Sequence, residues 1–210
     1  ATGWIWLSPP AHPARFTAVV EISGLIGLDQ NYMARDLESS FSDAFNAEGA
    51  KGVDALINSP GGSPVQSGQL YRALRELKRT HPDKPLLAVI SDIGASGAYY
   101  IAAAADEIFV DPASIVGSIG VVSSGFGFVE TLGKLGIERR LVTAGDHKGM
   151  LDPFSPADLA DQKILQSILD DIHAQFIAAV EEGRGSRLQA GPELFSGRVW
   201  SGREAVQLGL

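Results

Sequence analysis

A chain of 210 residues with 45% hydrophobic and 20% charged residues holds enough apolar material for one sizeable core, which excludes a disordered or fibrous protein. It has no cysteine, so disulfides, thiolate nucleophiles, Cys-ligated zinc and iron–sulfur clusters are excluded. With 17 basic against 25 acidic residues, a net charge of −8 and no Lys/Arg cluster, no nucleic-acid surface is expected. No apolar run approaches the roughly 18 residues of a membrane span, and Ala1 to Pro13 lacks the basic start and apolar centre of a signal peptide.

Residues 1–15, with Pro9, Pro10 and Pro13, read as an irregular lead whose Trp4, Ile5, Trp6 and Leu7 need an apolar surface to pack on. The Val/Ile-rich stretch Phe16 to Ser23 predicts a strand. Helical spacing of Met33, Leu37, Phe41, Ala44 and Phe45 predicts a helix over 32–47. A second strand over 53–58 runs into Ser59-Pro60-Gly61-Gly62-Ser63, and a second helix follows over 65–79. The apolar stretch Pro85 to Ser91 reads as a buried parallel strand, and a glycine turn at Gly94 to Gly97 leads into a small-residue helix over 98–105. Short strands are expected over 107–110 and within 114–122, a helix over 127–135 and a strand over 137–143. Ser155 as N-cap and Pro156 at the first helical position predict the start of the longest helix. Its apolar stripe is Leu165, Ile168, Leu169, Ile172, Phe176 and Val180, and Gly183 to Gly185 end it. A last helix is expected over 202–208. The alternation predicts a single α/β domain over 16–210 with a mostly parallel sheet.

Two glycine turns carry candidate chemistry. Asn58-Ser59-Pro60-Gly61-Gly62-Ser63 joins a strand to a helix. It is either a plain β–α turn or one whose outward N–H groups make an oxyanion site. Gly94-Ala95-Ser96-Gly97-Ala98 leaves Ser96 uncrowded at a sharp corner. Ser96 is either a helix N-cap or a nucleophile with a backbone N–H just after it.

A serine nucleophile needs a base. Of the four histidines, His12 sits in the lead, His81 in a polar turn and His173 on the long helix, and neither these nor His147 is followed by an obvious orienting acid. Lys148 lies in a glycine-containing loop, Ala144 to Phe154, among Met150, Leu151 and Phe154. Desolvation there would disfavour the charged amine and make a base. The plainer alternative is a solvated loop charge.

Together, Asn58-Ser-Pro-Gly-Gly-Ser63, Ala95-Ser-Gly-Ala-Tyr-Tyr-Ile-Ala-Ala-Ala-Ala-Asp106, Gly117-Ser-Ile-Gly-Val121 and Ala144-Gly-Asp-His-Lys-Gly-Met-Leu-Asp-Pro-Phe154 resemble the bacterial signal peptide peptidase A family, and its single-domain SohB-type members most. The resemblance runs from about Thr17 to the C-terminus. It implies the Clp protease/crotonase-like fold of stacked β-β-α units, a mostly parallel sheet with flanking helices. It implies a Ser–Lys dyad of Ser96 as nucleophile and Lys148 as general base, with Ser118 orienting the amine and the N–H groups of Gly62 and Gly97 as oxyanion hole. It further implies cleavage of remnant signal peptides and other membrane-associated apolar peptides, without metal or cofactor, on the extracytoplasmic side of the bacterial inner membrane. The family assembles as a homo-oligomeric ring, and its membrane anchor would precede Ala1. Where the family has Ser-Gly-Gly-Tyr, this chain has Ser96-Gly97-Ala98-Tyr99.

Other activities on such a fold leave different marks. A Clp-type Ser–His–Asp peptidase needs a histidine shortly after the nucleophile's helix. Residues 99–145 contain none, which leaves His147. A crotonase-like acyl-CoA enzyme would leave the Ser–Lys pair unexplained, and a non-catalytic scaffold would be expected to lack the serine or the lysine.

Overall fold

The computed structural model describes residues 15–27, 34–189, 191 and 193–210. The expected lead, with Trp4, Ile5, Trp6 and Leu7, lies outside the described residues except for Arg15. The chain divides into two compact units, one running up to Ile119 and resuming over Phe176–Leu210, the other Gly120–Gln175.

The first unit is built on strands β1 (Phe16–Ile26), β2 (Ala50–Gly62), β3 (Leu86–Ala95), β4 (Glu107–Val110), β5 (Ile115–Gly117) and β6 (Val199–Ser201). They form one sheet of order β1-β2-β3-β5-β6, with β4 also pairing to β3. All pairings are parallel except the antiparallel β5–β6. Between the parallel strands run α1 (Ala34–Asn46), α2 (Pro64–Thr80) and α3 (Gly97–Ala102), and α6 (Gly202–Leu208) ends the chain.

Alternation along the strands explains the core. Val20 and Ile22 of β1, Val53, Ala55 and Ile57 of β2, and Leu86, Ala88 and Ile90 of β3 are buried, and the residues between them are less so. Against that face pack Leu37, Phe41 and Phe45 of α1 and Leu70 and Leu74 of α2. Every residue of α3 is buried, including the large side chains of Tyr99, Tyr100 and Ile101. Helix α2 starts with Pro64 at its first position and the Ser63 hydroxyl accepting from the Gln66 N–H. Helix α6 starts with a full capping box, Ser201 with Glu204.

The strands overrun their expected ends. β2 continues through Ser59-Pro60-Gly61-Gly62, and β3 continues through Gly94 and Ala95. The supposed turns are therefore strand ends, paired Ser59 with Gly94. The strand expected within 114–122 is three residues long, and β6 was not expected at all, because a three-residue strand shows no period.

In the second unit, α4 (Val129–Lys134) lies inside the expected 127–135 helix. The strand expected over 137–143 does not form. Its Ile137 and Val142 are exposed, and no strand occurs among the described residues of this unit to pair with it. The long helix α5 (Leu159–Arg184) starts four residues after Ser155. Asp158 is the reason: its carboxylate accepts from the Ala160 and Asp161 N–H groups, whereas the Ser155 hydroxyl donates to Asp152. The last turns of α5 belong to the first unit. There Phe176 stacks on Tyr100, and the Tyr71 hydroxyl bonds the Ala179 carbonyl and the Glu182 carboxylate. Gly183, expected to end the helix, lies within α5, and only glycine fits there because a methyl would collide with the Ala103 carbonyl.

Two stability outcomes follow from this core. Phe41→Ala empties a fully buried site and should cost about 3–5 kcal/mol, read as a lower denaturation midpoint. Asp54 lies in the middle of β2 with one carboxylate oxygen sealed and unpartnered, and burial pushes its carboxyl above the ordinary range. The folded state thus binds its proton more tightly than the unfolded one, so this group's contribution falls as pH rises through the folded value. Asp54→Asn should raise the melting temperature at neutral pH, and the gain should vanish under acid conditions.

Candidate active site

Parallel register brings three glycine segments to one end of the sheet. Ser59 of β2 pairs with Gly94 of β3, and Ala95 of β3 pairs with Gly117 of β5. Beyond these pairs lie Gly61-Gly62, Ser96-Gly97 and Ser118.

At β2, the fully buried Ser59 hydroxyl donates to the Gly24 carbonyl (2.6 Å) and accepts from the Gly61 N–H (3.1 Å). Gly61 has φ 102° and Gly62 φ 153°, conformations that a side chain would strain. A methyl on Gly61 would stand 2.7 Å from the Gly97 nitrogen and 2.8 Å from Ser96 Cβ. The end of β2 therefore lies directly on the Ser96–Gly97 corner, and only glycine permits that approach.

Ser96 adopts φ 53° and ψ −125°. For a residue with a Cβ this conformation is strained, and it is imposed from both sides. Before it, the Ser96 N–H donates to the Gly117 carbonyl (2.8 Å); after it, the Ser96 carbonyl accepts from the Tyr100 N–H (2.9 Å) as α3 begins. The Ser96 side chain does not cap α3. Ser96 thus stands at the N-cap position of α3 without capping it, and the half-buried residue lies at a strand-to-helix corner. Gly97 opens α3, so its N–H has no acceptor within the helix. A methyl on Gly97 would collide with the Ser67 hydroxyl and stand 3.3 Å from the Gly62 nitrogen, so the two N–H-bearing backbones are close neighbours.

Ser118 repeats the pattern. Its φ is 52°, it follows Gly117 at φ 91°, and its N–H donates to the Arg198 carbonyl (2.8 Å). Ser96, Gly97, Gly62 and Ser118 are thus brought together within the first unit.

Lys148 lies in the second unit, in a run of tight turns tied by Lys148 N–H to Gly145 carbonyl and Met150 N–H to His147 carbonyl (both 3.1 Å). The desolvated setting expected from its apolar neighbours is not formed within this unit. Lys148 is exposed, Leu151 is 65% exposed, and Phe154 stacks on Phe128 with ring centroids 5.6 Å apart. The loop is closed by Asp152, whose carboxyl is held below the ordinary range by the Ser155 hydroxyl and then by Arg139. His147 has a partner that sequence reading missed: its Nδ1 lies 2.5 Å from the Asp161 carboxylate. Asp161 stands 14 residues further on, so no local spacing announces it. Only its place in the first turn of α5 could have suggested a role.

Ser96→Gly and Ser96→Ala both delete the hydroxyl, but only glycine relieves the positive φ. The glycine variant should therefore be the more stable of the two by about 1 kcal/mol, measured by denaturant unfolding.

Residues 78–210 match the family model described as Peptidase family S49. A segment of a Brucella melitensis protein named Na(+)/H(+) antiporter NhaA is 49% identical over 174 residues, which is 83% of this chain but 23% of that protein. A protein of Enterococcus faecium provisionally named signal peptide peptidase SppA is 33% identical over 160 residues, 76% of this chain and 46% of that one. The chloroplastic serine protease SPPA of Arabidopsis thaliana is 30% identical over 155 residues, 73% of this chain and 22% of that one. The chain thus spans less than half the length of each of these relatives. The antiporter name describes a protein more than three quarters of which lies outside the match, and among the described residues here no helix is long and apolar enough to cross a membrane. The motif-bearing strand ends, the mostly parallel sheet with its helices and the family match lead to one statement: this chain belongs to peptidase family S49 and has its Clp protease/crotonase-like fold.

Proposed function

We propose that the chain is the catalytic part of a serine endopeptidase in which Ser96 attacks the peptide carbonyl. The observation that carries this reading is the Ser96 corner itself, a strained φ of 53° with a side chain that caps nothing. Lys148 is the proposed base. Its neutral amine takes the Ser96 proton as Oγ bonds to the carbonyl carbon, and the resulting ammonium gives that proton to the leaving amine. Water then attacks the acyl-enzyme by the same proton route, releasing the acid and restoring the serine. The Gly62 and Gly97 N–H groups are the proposed donors to the oxyanion, and the Ser118 hydroxyl the group that orients the lysine amine. Exposure of Lys148 in the single chain means that substrate or a neighbouring protomer supplies the desolvation this role requires.

The proposed substrates are apolar peptides, remnant signal peptides among them. Leu25, paired to Gly61, Val65 in the first turn of α2, and Val199, paired to Gly117, are exposed large apolar residues near the glycine segments. They support an apolar peptide better than a charged one. The family likeness supports a site of action at the bacterial inner membrane, on its extracytoplasmic side, and a homo-oligomeric ring.

The His147–Asp161 pair favours a second reading, in which His147 is the base of a Ser–His–Asp triad. The two readings part cleanly by mutation. Ser96→Ala should abolish both peptide cleavage and fluorophosphonate labelling. Lys148→Ala should lower kcat by about 10³-fold or more with the fold intact by circular dichroism, and His147→Ala should retain most activity. Loss of activity in His147→Ala with activity kept in Lys148→Ala would replace the dyad by the triad.

A further inference from the structure

The Ser118 turn is held from one side by β5 and from the other by β6, the strand that sequence reading missed. Val116 pairs with Trp200 and Gly117 with Val199. The Ser118 N–H donates to the Arg198 carbonyl, and the Gly117 carbonyl accepts from the Ser96 N–H, each at 2.8 Å. A backbone relay therefore runs from Arg198 through Gly117-Ser118 to Ser96.

The side chains of the same strand clamp that relay. The Trp200 indole is buried, and its edge covers Gly117 so closely that a methyl there would stand 2.7 Å from Cδ1. The Arg198 guanidinium lies 4.1 Å from the centre of the indole ring and is itself held by Glu193 at 2.6 Å. The indole N–H is sealed from solvent without an acceptor. An orphaned buried donor costs roughly 1–3 kcal/mol, so a ring without an N–H would pack there more cheaply. What the indole supplies instead is a broad rigid plate with Gly117 at its edge and Arg198 over its face.

We propose that Trp200, backed by Arg198, is a positioning residue for the nucleophile: it holds the Gly117-Ser118 turn in place and so keeps Ser96 in its strained conformation. This rests on the reading of Ser96 as nucleophile. Ser96 and Ser118 both occupy positive φ, which each would leave if the turn were free. Without the plate, Gly117 can swing, its carbonyl no longer meets the Ser96 N–H, and the hydroxyl loses its aim. Of the residues proposed to support the peptide, Leu25 and Val65 lie on β1 and α2, away from this clamp, so the effect falls mainly on turnover rather than on KM.

The experiment compares wild type, Trp200→Leu, Trp200→Phe, Arg198→Ala and Ser96→Ala on an apolar peptide. It records kcat, KM, the rate of Ser96 labelling by a fluorophosphonate, and the melting curve. Trp200→Leu should lower kcat and the labelling rate by on the order of 10²-fold with little change in KM. Trp200→Phe, which keeps a ring over Gly117, should recover most of both. Arg198→Ala should give a smaller loss of the same kind, and as the change at a half-exposed side chain it carries the test if Trp200→Leu does not fold. Normal kcat in folded Trp200→Leu, a loss confined to KM, or no recovery in Trp200→Phe would overturn the proposal. Should Ser96→Ala keep its activity, the nucleophile reading itself falls. Should Ser96→Ala be inactive while folded Trp200→Leu is fully active, only the positioning role falls.

Discussion

The site depends on the parallel register of β2, β3 and β5, because that register alone makes three distant glycine segments meet. Parallel strands leave the sheet at the same end, so whatever follows each strand is delivered to one edge. Ser59 opposite Gly94 and Ala95 opposite Gly117 set the alignment. A slip of one residue in either pairing would turn the buried alternation of Val53, Ala55 and Ile57 or of Leu86, Ala88 and Ile90 outward. The core thus enforces the geometry of the site: the Gly61–Ser96 contact cannot shift without exposing the apolar face of the sheet.

That enforcement is needed because the site is strained. Ser96 and Ser118 both sit at positive φ, each at a cost of roughly 1–3 kcal/mol. The stabilising terms lie beside them. Short backbone hydrogen bonds fix both N–H groups, the Ser59 and Ser67 hydroxyls tie the neighbouring turn, and α3 is wholly buried behind Ser96. Glycine provides the rest of the room. At Gly61 and Gly97 a single methyl would push the two backbones apart.

The proposed base differs in kind from the proposed nucleophile. Ser96 is held by a sheet and a buried helix, whereas Lys148 stands exposed on a loop held mainly by its own turns, the Asp152 contacts and the His147–Asp161 pair. A serine embedded in a core and a lysine on an exposed loop respond differently to what surrounds the chain. Binding partners or substrate change the solvation of an exposed lysine readily, and that of a core-locked corner hardly at all.

Much of the sheet was legible in the sequence because its signals are local. Strand–helix alternation, the stripe on α1, Pro64 after Ser63 and the glycines around Ser96 depend on neighbours a few residues apart. The motif order singled out Ser96, Gly97, Gly62 and Ser118 as candidates, and the parallel register gathers these residues at one edge of the sheet. Other features depend on partners distant in sequence, and only the tertiary structure decided them. The Val/Ile-containing stretch 137–143 is not a strand, and among the described residues of its own unit no strand offers it a hydrogen-bonding partner. Val199–Ser201, too short for a pattern, is a strand because β5 offers it an edge. Ser155 has N-cap chemistry, yet it is the Asp158 carboxylate that accepts from the first-turn N–H groups of α5, while the Ser155 hydroxyl donates to Asp152. Asp161 reaches His147 only through the turn that precedes α5. Ser96 itself shows the division most clearly. Its small neighbours announced a sharp corner, but whether the hydroxyl would cap the helix or stand free depended on φ. That angle is set by a carbonyl 21 residues away in sequence, at Gly117, and by the glycine backbone of β2 pressed against the turn.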